Sequence, residues 1–194
     1  MISARCMIYV LVWDKEGKLT SQNEFPMHSF VSNYTRVQEA YARRIHVTAT
    51  STTGIATTIH GDGYPGGVVG ARIDAAMGVT EYGIVVGTGS VAVTINDTKL
   101  GSVLAHGTGS NQLYHTPVFF EPLVVTPTEV YLMCRRHYFN NSVAVITITE
   151  SGLICGGDGT TAGRILMVRD VFPSSIAIPI AGYAEVRYKI GITT

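Results

Sequence analysis

Two glycine strings, Gly87-Thr88-Gly89 and Gly107-Thr108-Gly109, each follow an apolar run. Glycine-rich turns after strands are places where free backbone amides hold phosphates. Gly87-Thr88-Gly89-Ser90-Val91-Ala92 fits the GxGxxA form of a dinucleotide turn, but VTINDTKL follows it, β-branched and closing in a turn, so no helix N-terminus meets the anion. Neither string continues into GxxxxGK with a hydroxyl residue, so the lysine and magnesium ligand of a nucleotide loop are missing. Both strings are therefore predicted to be turns that redirect strands, with GIVVG and SVAVTI as neighbours in a sheet, and no cofactor-binding residue is nominated.

Other chemistry is equally thin. The GDG at Gly61 and the GGDG at Gly156 lack the spaced oxygen ligands of a calcium loop and read as Asp-Gly turns. The six histidines form neither HExxH nor HxH, and no GxSxG elbow nominates a nucleophile. Cys6, Cys134 and Cys155 are an odd, widely spaced set, read as free thiols in a chain made in a reducing compartment. Hence no catalytic or metal residue is nominated, and the chain is read as a non-enzyme. CRRHYFNN is the most polar strand end: period two puts Arg135 and His137 on one face and Cys134, Arg136 and Tyr138 on the other, an exposed face for water or a partner.

Fourteen basic and fourteen acidic residues in 194 leave no net charge. A nucleic-acid or anionic-membrane surface needs an excess of Lys and Arg, so both are excluded as expected partners. Little net repulsion opposes association, which points towards a homo-oligomer or a larger assembly. MIYVLVW is too short to span a bilayer or to form a secretory core, so synthesis in the cytoplasm is expected.

The elements carrying these residues read as mainly β. ARCMIYVLVWD and KLTSQNEF form a hairpin about Asp14-Lys15-Glu16-Gly17, with glycine placed for positive φ. One short amphipathic helix is predicted over 29–44, with an apolar stripe of Phe30, Tyr34, Val37 and Tyr41, a cap from His28 or Ser29, and Arg43 and Arg44 at its C-terminal end. Eight or nine short strands follow, indicating an antiparallel β-sandwich of jelly-roll or immunoglobulin-like type. In the last strand Ala184, Val186, Tyr188 and Ile190 alternate with polar residues; RILMVRDVF suits a more central position and is expected to close at Pro173. Residues 61–78 read as one long irregular loop. The expected organisation is an N-terminal hairpin and helix, 1–44, packed on or extending from a sandwich domain, 45–194.

Three strings, GIVVGTGSVAVTINDTKLGSVLAHGTGSNQLYH, HYFNNSVAVITITESGLI and ILMVRDVFPSSIAIPIAGYAEVRYKI, resemble a family of predicted β-sandwich virion structural proteins of tailed phages and viral metagenomes. The likeness rests on the Gly-Thr-Gly strand end, the Asn140-Asn141-Ser142 turn, Glu150-Ser151-Gly152-Leu153, Arg169-Asp170-Val171 and Pro179-Ile180-Ala181-Gly182. Ser151, where the family has Val, and the long CGGDGTTAGR hairpin depart from it. The resemblance implies a virion component that self-associates and docks on another virion protein, as capsid decoration or in neck or tail attachment. A virion-borne glycan or receptor binding module is the alternative. Candidate interface residues are Phe30, Tyr34, Tyr64, Tyr114, Arg135 and Tyr138, with Tyr64, Tyr114 and Tyr138 also the candidates for stacking on a sugar.

Overall fold

The computed structural model describes residues 3–27, 29–61, 72–156 and 163–193. In chain order these form β1 (Ser3–Trp13), β2 (Leu19–Pro26), α1 (Ser32–Arg43), β3 (His46–Thr50), β4 (Ala56–His60), β5 (Gly83–Gly87), β6 (Ala105–His106), β7 (Gln112–His115), β8 (Phe119–Phe120), β9 (Val124–Val125), β10 (Glu129–Phe139), β11 (Ile146–Cys155), β12 (Ile165–Ile178) and β13 (Tyr183–Thr193). The larger sheet runs β2-β1-β13-β10-β7-β6, with β8 and β9 also on β10; the smaller runs β12-β11-β5, and β3 pairs with β4. Pairing is antiparallel apart from the short β6–β7 contact. The fold is an antiparallel β-sandwich.

The N-terminal hairpin closes as its turn residues require. Asp14 Oδ1 accepts the N–H groups of Glu16 at 3.0 Å and Lys18 at 2.9 Å, and Gly17 takes φ 77°. The hairpin's strand β1 lies inside the larger sheet, between β2 and β13. Ile8, Val10 and Val12 of β1, Cys134 and Tyr138 of β10, and Ala184, Val186 and Tyr188 of β13 turn one face of that sheet into the core, against Ile84, Ile148 and Leu153 of the smaller sheet.

α1 starts later and faces differently than its stripe predicts. Its N-cap is Val31, with no side-chain cap, and Asn33, Val37 and Ala40 are its buried residues, leaving Tyr41 exposed. The cause is tertiary. Val31 N–H donates to Met167 O at 3.1 Å and Phe30 bridges Val168, so residues 29–31 act as strand along the edge of β12 and the helix begins only beyond them. Asn33 Nδ2 and Arg36 Nη1 then donate to the Thr50 and Thr48 carbonyls, fastening the helix to β3.

The smaller sheet is buried on both sides. One face joins the core; Val85, Ile154 and Leu166 on the other pack beneath Leu100 and Val31. Burial on both faces removes the need for polar alternation, which is why RILMVRDVF alternates poorly. Pro173 does not end that strand: β12 continues to Ile178, and the register shift between Ile148 and Glu150 forms a bulge that accommodates the proline. SVAVTI is not a strand. Residues 88–104 instead form an irregular cover that lays Leu100 on the outer side of the smaller sheet and returns along the free edge of β5, where Val103 bridges Gly87.

Candidate functional site

The first Gly-Thr-Gly turn does hold an anion, and that anion is a side chain of the protein itself. Glu150, wholly buried on β11, accepts Gly89 N–H at 2.9 Å and Ser102 N–H at 3.0 Å on Oε1, and Gly101 N–H at 3.1 Å and Arg169 Nε at 2.9 Å on Oε2. A Cβ on Gly89 would lie 2.3 Å from Glu150 Oε1, so glycine lets the backbone close on the carboxylate. Arg169 also donates to Asp97 Oδ2 at 2.7 Å and Val91 O at 3.1 Å. Burial raises the Asp97 carboxyl, and the hydrogen bonds from Arg169 and Thr94 outweigh it, so its pKa lies below the ordinary value. Glu150, Arg169 and Asp97 thus pin the cover to the smaller sheet. The second turn differs: Gly109 N–H meets only the Gln112 side chain, at 3.0 Å on the surface.

The open face lies on the larger sheet, away from the core. Trp13, Tyr183, Phe139 and Tyr114 stand directly opposite one another on β1, β13, β10 and β7. Their ring centroids are 4.7 Å apart from Trp13 to Tyr183, 5.1 Å from Tyr183 to Phe139 and 6.4 Å from Phe139 to Tyr114. All four are half-buried. The loops at this end of the sheet add exposed apolar residues, Leu19, Val143, Val145 and Ile180, with Val143 at 88% exposure. Asn140 and the 179–182 turn hold these loops together through Asn140 N–H to Gly182 O and Ala181 N–H to Asn140 O, both 2.9 Å.

Next to the aromatic row the face turns polar. Glu185 of β13, with its side chain 1% exposed, accepts Arg135 Nη1 at 3.0 Å and His137 Nε2 at 2.7 Å, and is also bonded by Arg187 Nε. Burial raises its carboxyl, but the hydrogen bonds and charges of His137 and Arg187 prevail and bring it down to about 2. Thr116, Phe119, Arg135, His137, Phe139 and Tyr183 line an open cleft of about 430 Å³ above it. The Thr116 hydroxyl donates to Pro117 O at 3.0 Å and accepts His137 N–H at 3.0 Å.

Of the sequence candidates, Tyr114 and Arg135 come together on this face. Tyr138 does not join them: it is wholly buried, its hydroxyl donates to Ile84 O at 2.8 Å, and its even position on β10 turns it into the core, so it offers no surface to a partner or a sugar. Phe30 and Tyr34 contact each other at 4.2 Å and pack against the core at the α1 end, away from the row. Tyr64 lies outside the described residues, as does His28. Sequence reasoning missed Trp13, Phe139, Tyr183 and Glu185. Their only sequence signal is an odd position on a strand whose even residues are apolar, or the reverse, and nothing local tells which strands become neighbours.

Three further features are internal. Arg136, wholly buried, donates Nε to Thr116 O at 2.7 Å, Nη1 to Ile84 O at 2.9 Å and Nη2 to Val79 O at 2.6 Å, so its charge is met by carbonyls. Ser151 accepts the Tyr188 hydroxyl at 2.9 Å and donates to Val85 O at 3.2 Å, a polar link between the two sheets. Burial pushes the thiols of Cys134 and Cys155 up to about 12, which keeps them protonated. Among the described residues no group of three or more His, Cys, Asp or Glu could hold a metal ion, and no helix is long and apolar enough to cross a membrane. Comparison with protein-family models, curated proteins and solved structures finds no match.

Proposed function

We propose that this chain is a structural component of a tailed-phage or related prokaryotic-virus virion, made in the host cytoplasm, that self-associates and docks on another virion protein through the aromatic end of its larger sheet. The observation carrying the docking reading is the row Trp13–Tyr183–Phe139–Tyr114, aligned across four strands and left open beside exposed Leu19, Val143, Val145 and Ile180. Trp, Tyr and Phe are the residue types enriched at the anchors of protein interfaces, because they bury large apolar area at little cost in side-chain entropy. Trp13 and Tyr183 stack with planes only 8° apart, so this pair loses little freedom on docking. The lack of net charge removes a long-range barrier to like chains meeting. The virion setting rests on the sequence resemblance, and capsid decoration, neck and tail attachment all fit it.

Light scattering on the chain at rising concentration, together with mass spectrometry of purified particles, tests this. The expected result is a concentration-dependent increase in mass, abolished by Tyr183→Ala, and the chain present in the particles. A strict monomer that is also absent from particles would overturn the reading.

A further inference from the structure

We propose that the cleft over His137 is a binding site for one neutral pyranose ring of a glycan. This goes beyond the assembly reading and does not rest on it. Phe139 and Tyr183, 5.1 Å apart, wall one end; Phe119, 45% exposed, walls the other; and the His137 ring lies between, 6.4 Å from each Phe and 6.0 Å from Tyr183. Ring walls of this kind suit the C–H face of a sugar, as a few convergent polar groups suit its hydroxyls.

Those polar groups sit at the floor. Arg135 gives Nη1 to Glu185 and lines the cleft with its side chain 37% exposed, so the outer part of its guanidinium faces a ligand. His137 gives Nε2 to Glu185, which leaves Nδ1 for a ligand. A buried carboxylate shared by Arg135, His137 and Arg187 holds both donors still before any ligand arrives, so binding orders little.

The charge balance selects the ligand class. Glu185 and Glu121 offset Arg135 and Arg187, with Glu121 3.6 Å from Arg135 Nε. The cleft therefore holds no guanidinium left over to favour a nucleotide phosphate or an acidic peptide, whereas an uncharged polyhydroxyl ring with an apolar side meets both its walls and its floor. The cleft volume of about 430 Å³ falls within the range of small-ligand sites. Tyr114 and Tyr138, named from the sequence as sugar-stacking residues, are not among its lining.

Saturation-transfer NMR on the full chain tests the site, with methyl glycosides of glucose, galactose, mannose and N-acetylglucosamine, and with N-acetyltyrosinamide as the probe for an aromatic peptide. The expected result is transfer to the ring protons of at least one glycoside. Phe119→Ala and Arg135→Ala should each weaken it at least about tenfold, the scale of losing one stacking ring or one charged hydrogen bond, with thermal unfolding unchanged in Phe119→Ala, whose ring is 45% exposed. No transfer to any glycoside, or binding unaltered in both variants, would overturn the proposal. Binding of N-acetyltyrosinamide without any glycoside would also overturn it and make the cleft a peptide pocket. None of these readouts involves association of the chain, so their failure leaves the assembly reading standing.

Discussion

Glu150 and Arg169 meet at 2.9 Å on neighbouring strands of the smaller sheet, both almost fully shielded from water. Through them the irregular cover over residues 88–104 is bonded to the sandwich, since Glu150 takes its amides and Arg169 takes Asp97 and Val91. Removing the Glu150 carboxylate leaves three backbone amides and Arg169 Nε without their acceptor, at a cost of about 3 kcal/mol. Glu150→Ala should therefore lower stability to that extent in urea unfolding. An unchanged midpoint would mean that the cover is held by Leu100 and its apolar neighbours instead.

The two Gly-Thr-Gly turns should respond differently to the same substitution. At Gly89 a methyl group would sit 2.3 Å from Oε1 of a carboxylate held by four hydrogen bonds, two on each oxygen, whereas at Gly109 the nearest atom is the end of the Gln112 side chain at 3.0 Å. Gly89→Ala is expected to cost about 2 kcal/mol or more and Gly109→Ala within about 0.5 kcal/mol, measured side by side by thermal unfolding. Equal losses would contradict the cradle.

Much of this fold is legible in the sequence because its signals are local. Gly17 at the hairpin turn and the alternation of Ala184, Val186 and Tyr188 each follow from a few adjacent residues. The misreadings have long-range causes. SVAVTI has the β-branched composition of a strand, but Glu150, some sixty residues on, claims the amides around it; the helix start is displaced because β12 takes Phe30 and Val31 as an edge. The aromatic row was illegible for the same reason. Trp13, Tyr114, Phe139 and Tyr183 come from four distant segments and align only through the register of β1, β13, β10 and β7. Glu185 looks like an ordinary outward carboxylate on an alternating strand, and only Arg135 and His137 of the neighbouring strand bury it.

His115 should make the fold sensitive to acid. It is wholly buried against Tyr138 and His106, and neither ring nitrogen has a hydrogen-bond partner among the described residues. Burial, then the charges of Arg136 and His106, lowers its pKa from 6.5 to about 3. The unfolded chain thus takes up the proton first as the pH falls. The stability His115 contributes is complete above 6.5 and is lost progressively towards 3, on the order of 2 kcal/mol of it by pH 4.5. Glu185, lowered from 4.5 to about 2, acts in the window below that. The parent should therefore lose on the order of 2 kcal/mol relative to His115→Leu between pH 6.5 and 4.5, and a constant difference would rule the histidine out as the source.

The apolar loops beside the aromatic row separate docking from folding. Val143 is 88% exposed, so a charge there disturbs no packed side chain and should change stability by no more than about 0.5 kcal/mol. If this end of the sheet is the docking surface, Val143→Glu must bury an unpaired carboxylate in the interface and weaken association at least about tenfold. Light scattering at matched concentrations measures the association and thermal unfolding measures the fold. Loss of association with unchanged unfolding is the expected pair of results. Retained association would move the docking surface to the opposite end of the same sheet, where Leu123, Val125 and Ile192 are exposed beside the cation–π contact of Lys189 and Tyr131. There Val125→Glu, rather than Val143→Glu, would have to break the assembly.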